Sequence, residues 1–407
     1  MNFPLVVARR YLLAKKSHQA VNIITWASAI GVGFITASLV IVLSVFNGFE
    51  GLIQRLYSSF DPDIKITAAQ GKFIRPADFP NWKQALQSTP GIAQYSHCLE
   101  EQVLLKYRDK QFIATVKGVD SNFLTMTGLT KMITEGKPVL EKDSLPYAIM
   151  GMGVRYYLGA QKEDYFEPVQ LYSPNKNAAA SINPSEAFVQ RSIVVSSFFS
   201  VEQGFDQKYV LVPLWFARDL LLNQDQISSL EIGLKPGTDA ESVVKELQSK
   251  LGKKLKIQSR MELNEALFKL LQSEKLYGYL IVSFILLLAI LNVVASMIML
   301  IIEKSKDVEI IRFLGADLGT IKQIFRWEGL LIICSGLALG LILGVALVLA
   351  QTYFGLIRIE GNGTFVVDAY PVELKLLDLA VVCLTVLGVG SVTVWLTVEI
   401  LWRGKKM

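Results

Sequence analysis

The chain has 407 residues, 52% of them apolar and only 19% charged, where an ordinary soluble domain carries about a quarter. Its mean hydropathy is +0.39 and its formal charge +5. That combination excludes a wholly soluble protein, and the near balance of charge within residues 47–278 leaves no field to steer nucleic acid.

The apolar residues are gathered rather than scattered. Residues 1–21 alternate Phe3, Leu5 and Val6 with Arg9 and Arg10, then Tyr11, Leu12 and Leu13 with Lys15 and Lys16. This reads as a cytoplasmic amphipathic tail lying in the membrane interface, or as a plain positive flank to the span that follows. Residues 22–46 form the first apolar run, longer than the roughly 7–15 residues of a signal-peptide core. Runs at 279–302, 329–354 and 376–398 follow, each near the ~20 residues that cross a bilayer as a helix. The first three runs contain no Asp, Glu, Lys or Arg, and the fourth only Asp378.

Between the first two runs, residues 47–278 carry nearly equal numbers of basic and acidic side chains. The helix of the first run is expected to continue as a stalk through Asn47–Leu56. Strand-like stretches then occur at Asp63–Thr67, Glu101–Tyr107, Phe112–Lys117, Val169–Tyr172, Ser192–Ser197 and Ser229–Leu234. Helical patterns occur at Pro80–Ser88, Val212–Leu222 and Thr238–Leu251. Mixing of this kind predicts an α+β domain, with an inserted subdomain at about 119–207.

Lys and Arg gather in the N-terminal tail, in residues 303–328 and at the 399–407 terminus, while the 355–375 connection has few. By the positive-inside rule both termini and the middle loop face the cytoplasm, and residues 47–278 the opposite side. In the middle loop Glu309 and Arg312 share a helical face, with Ile310 and Leu314 on another. Gly315 is placed to stop that helix and Asp317 to cap the next, where Ile321, Ile324 and Phe325 form a second apolar face. The loop is either a solvated turn or a socket for a soluble motor. In the third run Gly336, Gly340 and Gly344 recur every four residues, a face for close helix packing.

Catalytic chemistry finds no foothold. There is no G-x-x-x-x-G-K-[ST] motif for nucleotide phosphates. Met150-Gly151-Met152-Gly153 begins like a dinucleotide fingerprint, but Tyr156 stands where its third glycine belongs. The two histidines, His18 and His97, fall on opposite sides of the membrane in this topology, which leaves no His-based metal site. His97 alone remains a candidate base, beside the plainer reading of a surface or capped side chain. Cys98 has no second cysteine on its side of the membrane to pair with.

Several stretches together carry a resemblance: Ile24-Thr25-Trp26-Ala27-Ser28-Ala29-Ile30-Gly31, Val42-Leu43-Ser44-Val45-Phe46-Asn47-Gly48-Phe49-Glu50, Leu263–Phe268 leading to Glu274-Lys275, Glu309–Ala316, and Ala369-Tyr370-Pro371-Val372. With them the chain resembles ABC transporter permeases of the FtsX/MacB type, and within these the lipoprotein-releasing permeases of the LolC/LolE type. The fold this implies is an α-helical membrane protein with four transmembrane helices plus an α+β periplasmic domain inserted between helices 1 and 2.

The resemblance also implies an inner-membrane location and a non-enzymatic subunit without a cofactor of its own, ATP and Mg being bound by a LolD-like ATPase seated on the 303–328 loop. Other implied partners are a second permease copy or paralogue, a LolA-like periplasmic carrier, triacylated lipoproteins and membrane lipid. Val42, Val45, Phe46, Phe49 and Leu52 would line a lipid cleft. Ser173–Val189, with Pro174 and Pro184 and followed by Gln190 and Arg191, looks like a carrier-binding hook, or else an ordinary loop. Two other functions stay open: a MacB-like mechanotransmission pump, and an FtsX-like regulator of a cell-wall hydrolase. The C-terminal Thr397–Met407 departs from the family's usual ending.

Overall fold

The computed structural model describes residues 3–13, 19–175, 187–358 and 369–403. The strands are β1 (Ile64–Ala68), β2 (Ile92–Tyr107), β3 (Lys110–Val119), β4 (Ile133–Gly136), β5 (Glu141–Lys142), β6 (Leu145–Gly151), β7 (Val169–Pro174), β8 (Phe188–Phe199), β9 (Tyr209–Pro213), β10 (Ser229–Leu234) and β11 (Leu255–Ser259). The helices before the sheet are α1 (Phe3–Leu13) and α2 (Gln19–Ser58). Those among the strands are α3 (Trp82–Gln87), α4 (Asn122–Met126), α5 (Met152–Leu158), α6 (Gln203–Asp206), α7 (Leu214–Leu220), α8 (Ala240–Leu251) and α9 (Arg260–Leu263). Those after it are α10 (Glu265–Glu303), α11 (Ser305–Phe313), α12 (Leu318–Phe354) and α13 (Leu376–Arg403). Of the described residues, those up to Leu52 and from Lys269 onward form a helical unit, and Ile53–Phe268 a sheet unit.

Four helices, α2, α10, α12 and α13, are long and apolar enough to cross a membrane. Their shared core includes Leu39, Leu43, Ile290, Ile332, Val386 and Val394, and their outward faces carry large apolar side chains such as Phe34, Phe284 and Leu384. Apolar side chains on both inner and outer faces are what a lipid surround permits and water does not.

In the sheet unit the strand order is β11-β1-β10-β2-β3-β9-β6-β8-β4, with β5 paired to β6 and β7 to both β2 and β8. Most pairs are antiparallel, but β3–β9 and β6–β8 are parallel. Among the described residues, two apolar cores lie against this sheet. One packs α3 and α8 against β1, β10 and β11 through Trp82, Leu86, Val243, Leu247, Ile64 and Ile232. The other packs α5 and α7 against β2, β3, β6, β7, β8 and β9 through Val154, Leu158, Phe216, Leu220 and Phe198. Strands β4–β8, all inside the expected 119–207 insertion, pair with this same sheet toward its β4 edge.

Several elements differ from the sequence reading. The helix expected at Val212–Leu222 is present as the shorter α7, Leu214–Leu220, and its first two residues instead end a strand, β9, that the sequence reading did not place. Every residue of β9 is buried, so it lacks the alternation that marks a strand with one wet face. Strand β2 begins nine residues before its predicted start at Glu101. Gly151 and Gly153 serve packing: a Cβ at Gly151 would come 2.2 Å from the Asp206 carbonyl oxygen, and one at Gly153 2.5 Å from the Gln207 side chain.

Candidate functional site

The connection from α10 to α12 is built as its residues suggest. α11 ends at Gly315, whose φ of +94° suits only glycine, and Asp317 Oδ1 accepts from the Thr320 amide at 3.1 Å to cap α12. Along α11 and the turn after it, Phe313 is 90% exposed, Leu314 83% and Ile310 58%, and Leu318 is exposed beside them. Glu309 and Arg312 are exposed on the same short helix. An apolar face of this size on a charged helix has no partner among the described residues. Ile321, Ile324 and Phe325 are different. All three are buried, and Ile321 and Phe325 belong to the helical core. The expectation that they meet a partner is corrected: these three side chains face inward from α12, and the open face consists of Ile310, Phe313, Leu314 and, at the start of α12, Leu318.

Near the end of α13, Glu399 is held by Lys322 and Arg326 of α12, at 3.1 and 3.3 Å, and by Arg403 at 3.5 Å. Thus the helix leading into the atypical C-terminal ending is tied to α12.

The predicted glycine face of α12 lies against α2. A Cβ at Gly336 would come 2.6 Å from the Ala29 carbonyl oxygen, at Gly340 2.4 Å from that of Gly33, and at Gly344 2.9 Å from Val40 Cβ. The two backbones approach as closely as small residues allow.

The expected cleft residues divide between two faces of α2. Val42 and Phe46 face α10, where a Cβ at Gly278 would meet the Phe46 ring at 2.6 Å and Val42 Cγ1 at 3.5 Å. Val45 faces the other way and lines a cavity of about 390 Å³ with Ile41, Leu347, Val348, Gln351 and Tyr370 among others. Gln351 does not make that cavity polar. Its amide bonds the backbone of Ile357 at both ends, each at 2.9 Å, and the Tyr370 carbonyl at 3.1 Å. Phe49 packs its ring 6.2 Å from Tyr370, and Leu52 is buried.

In the sheet unit, β7 and β8 form an antiparallel hairpin whose last pair is Pro174 with Phe188, extended by Asn175 N donating to the Ala187 carbonyl at 2.8 Å. Pro174 of the hook reading thus ends a paired strand, while Pro184 and its neighbours lie outside the described residues. Gln190 is exposed opposite Tyr172, and Arg191 pairs with Asp219 of α7. His97 is a satisfied side chain: it stacks edge-on with Trp82 and Tyr95 and lies 3.6 Å from Asp120.

Sequence reasoning missed a row of charges across four adjacent strands. Lys65, Glu231, Glu100 and Lys117 come from β1, β10, β2 and β3 in that spatial order. Lys117 is 1% exposed. Its Nζ sits 2.9 and 3.1 Å from the two Glu231 oxygens, and lies over the rings of Phe60 and Phe123 at 5.1 and 4.7 Å. Lys65 reaches Glu100 at 3.1 Å and Glu231 at 3.3 Å. Burial pushes the Glu100 carboxyl up, but Lys117 and Lys65 outweigh it and hold the group at about 2. The trace in the sequence is a charge set among apolar residues in each strand, as in IKITA, FIATVKGV and SLEIGL.

Four membrane-length helices, a mixed-sheet unit and a connecting helix with an open apolar face define a polytopic membrane protein. Residues 25–250 match the MacB-like periplasmic core domain and residues 279–403 the FtsX-like permease C-terminal region. The chain belongs to this permease family. Among curated relatives, the lipoprotein-releasing system transmembrane protein LolE of Haemophilus influenzae is 27% identical, over 96% of this chain and 94% of its own length. The corresponding LolC proteins of Xylella fastidiosa and Neisseria meningitidis are 22% and 23% identical, over 99% and 95% of this chain and 97% and 93% of theirs. The periplasmic region of MacB from Actinobacillus actinomycetemcomitans superposes on 53% of the chain, covering 97% of that structure, with a TM-score of 0.36 and 13% identity.

Proposed function

We propose that the chain is the permease subunit of an ABC transporter that extracts lipoproteins from the inner membrane and hands them to a periplasmic carrier. The observation that carries this reading is the near end-to-end match to proteins named for lipoprotein release, across both the helices and the sheet unit. Sheet and hairpin lie in the periplasm, and both chain ends and α11 in the cytoplasm. A separate ATPase seats on Ile310, Phe313, Leu314 and Leu318 and binds ATP and Mg. A second permease, identical or paralogous, completes the membrane part.

The physics explains why such a machine needs fuel. At roughly 0.8 kcal/mol per buried methylene, three acyl chains of about 15 methylenes each anchor a lipoprotein by on the order of 36 kcal/mol. Spontaneous departure on that scale is negligible. Apolar space between helices offsets most of the cost of withdrawing the chains, and nucleotide-driven closure then moves them on.

The test is reconstitution. Proteoliposomes holding this chain with its co-purified ATPase and a triacylated client are given ATP and a soluble carrier. Client in the soluble fraction, dependent on both ATP and carrier, is the expected result. Hydrolysis without any release would overturn the reading.

A further inference from the structure

Around residue 47 of α2, polar side chains from three helices meet. Asn47 is fully buried. Its Nδ2 donates to Asp378 Oδ2 of α13 at 2.5 Å and to the Glu373 carbonyl at 3.3 Å, while its Oδ1 accepts from Lys275 Nζ of α10 at 2.7 Å. Lys275 also reaches Asp378 directly, at 3.3 Å. Beside this triad the chain before α13 lies directly on α2. A Cβ at Gly48 would come 2.4 Å from the Pro371 carbonyl carbon, Glu373 N donates to the Ser44 carbonyl at 2.9 Å, and Lys375 pairs with Glu50 at 3.3 Å.

Asparagine suits the central position because one amide offers a donor to a carboxylate and an acceptor to an ammonium at once, which no carboxylate or aliphatic side chain does. A half-buried Lys–Asp pair adds little net stability, since desolvation cancels much of the attraction. Its geometry is nevertheless specific: it is either made or broken. Along the α2–α12 seam, by contrast, attraction comes from many small backbone contacts with no such alternative state. One turn from the triad, Phe46 and Val42 close over Gly278 of α10. The triad therefore holds one end of the α2–α10 line shut.

We propose that Asn47, Lys275 and Asp378 are positioning residues forming a latch, and that an acyl chain gains entry between α2 and α10 only when this latch releases. The proposal rests on the lipid-handling function above. Lys275 and Asn47 keep α2 registered on α10 in the resting state, and release requires both the amide and the ion pair to let go together.

The experiment uses the full chain with its ATPase partner in nanodiscs, without nucleotide, carrying Val42→Cys and Gly278→Cys on a background where Phe46 is replaced by Ala, to make room for the new Cβ at 278, and Cys98, Cys334 and Cys383 by Ser or Ala. Oxidative cross-linking between positions 42 and 278 is followed in time. Lys275→Met and Asn47→Leu are each expected to slow it about fivefold, and the exchanged pair Lys275→Asp with Asp378→Lys to restore it. An unchanged rate in both single variants would overturn the latch. So would a slow rate in the exchanged pair, which would mark a merely structural role. Lys275→Arg keeps the charge and is expected to cross-link at the unsubstituted rate; a fivefold loss there would also count against the proposal. Cross-linking needs no client, so failure of lipoprotein release by the unsubstituted protein would overturn the function and leave this result standing.

Discussion

Lys117 shows how one residue reports on a whole surface. Replacing it with Met removes a buried cation from between Glu231 and Glu100 and leaves Glu231, fully buried, without its closest counter-charge. Breaking one side of such a pair costs about 3–5 kcal/mol. We expect Lys117→Met to lower the denaturation midpoint of the full chain in detergent. The double variant with Glu231→Gln should recover part of the loss, as a double-mutant cycle would measure. Glu100 gives the pH dependence its sign. Its folded pKa of about 2 lies below the ordinary 4.5, so its contribution is complete above pH 4.5 and is lost as pH falls from there through 2. Stability measured across that window should fall in the unsubstituted protein and fall less in Lys117→Met, where one of the two cations that depress this carboxyl is gone and only Lys65 remains. Glycines offer a second residue-scale contrast. Gly340→Val drives a side chain into the Gly33 carbonyl and Thr36, an overpacking cost of about 1–3 kcal/mol, whereas Gly388 has open space around its Cβ position. Thermal midpoints should drop for Gly340→Val and stay put for Gly388→Ala.

At the scale of elements, α11 is the sharpest case. Phe313→Asp or Leu314→Asp changes a solvent-facing side chain, so chain yield and thermal midpoint should stay as they are while co-purification of the ATPase falls at least about tenfold. Ile324→Asp should instead destabilise the helical unit, because Ile324 points inward. The charged stretch between two apolar runs announced this connection, but could not say which of its two apolar faces was open; that depends on where the other helices stand. The membrane helices were legible because a bilayer imposes a length that composition alone reveals. The strands were legible unevenly, and exposure alone does not sort them. β10, buried but for its last residue, has a charge to interrupt its apolar run and was placed at its true bounds; β6 and β9, largely or wholly buried, were not placed as strands, and neither was β11, whose burial alternates. The charge row was invisible for another reason: its four members are contributed by four strands, and only the pairing register brings them together. The same holds for Asn47, Lys275 and Asp378. The first two stood in stretches that carried the family resemblance, yet nothing in their spacing told of a common contact.

At the scale of the whole molecule, the proposed sidedness is open to direct measurement. In a chain without native cysteines, Ser249→Cys, exposed on α8, should react with a membrane-impermeant maleimide added to cells with a permeabilised outer membrane. Lys306→Cys, exposed on α11, should react only after the inner membrane is breached. Equal labelling of both from outside would be incompatible with a permease whose motor works from the cytoplasm.

The glycine seam between α2 and α12 bears on how the bundle deforms. Where two backbones touch through glycine, sliding one past the other drives carbonyl oxygens into neighbouring chain atoms, and parting them opens a void that no side chain reaches across. These two helices are accordingly expected to swing as one board. Whatever hinge the transport cycle uses then runs along the opposite margin of α2, and a spin-label pair spanning α2 and α12 should keep a constant separation through the nucleotide cycle while labels on α10 drift away from both.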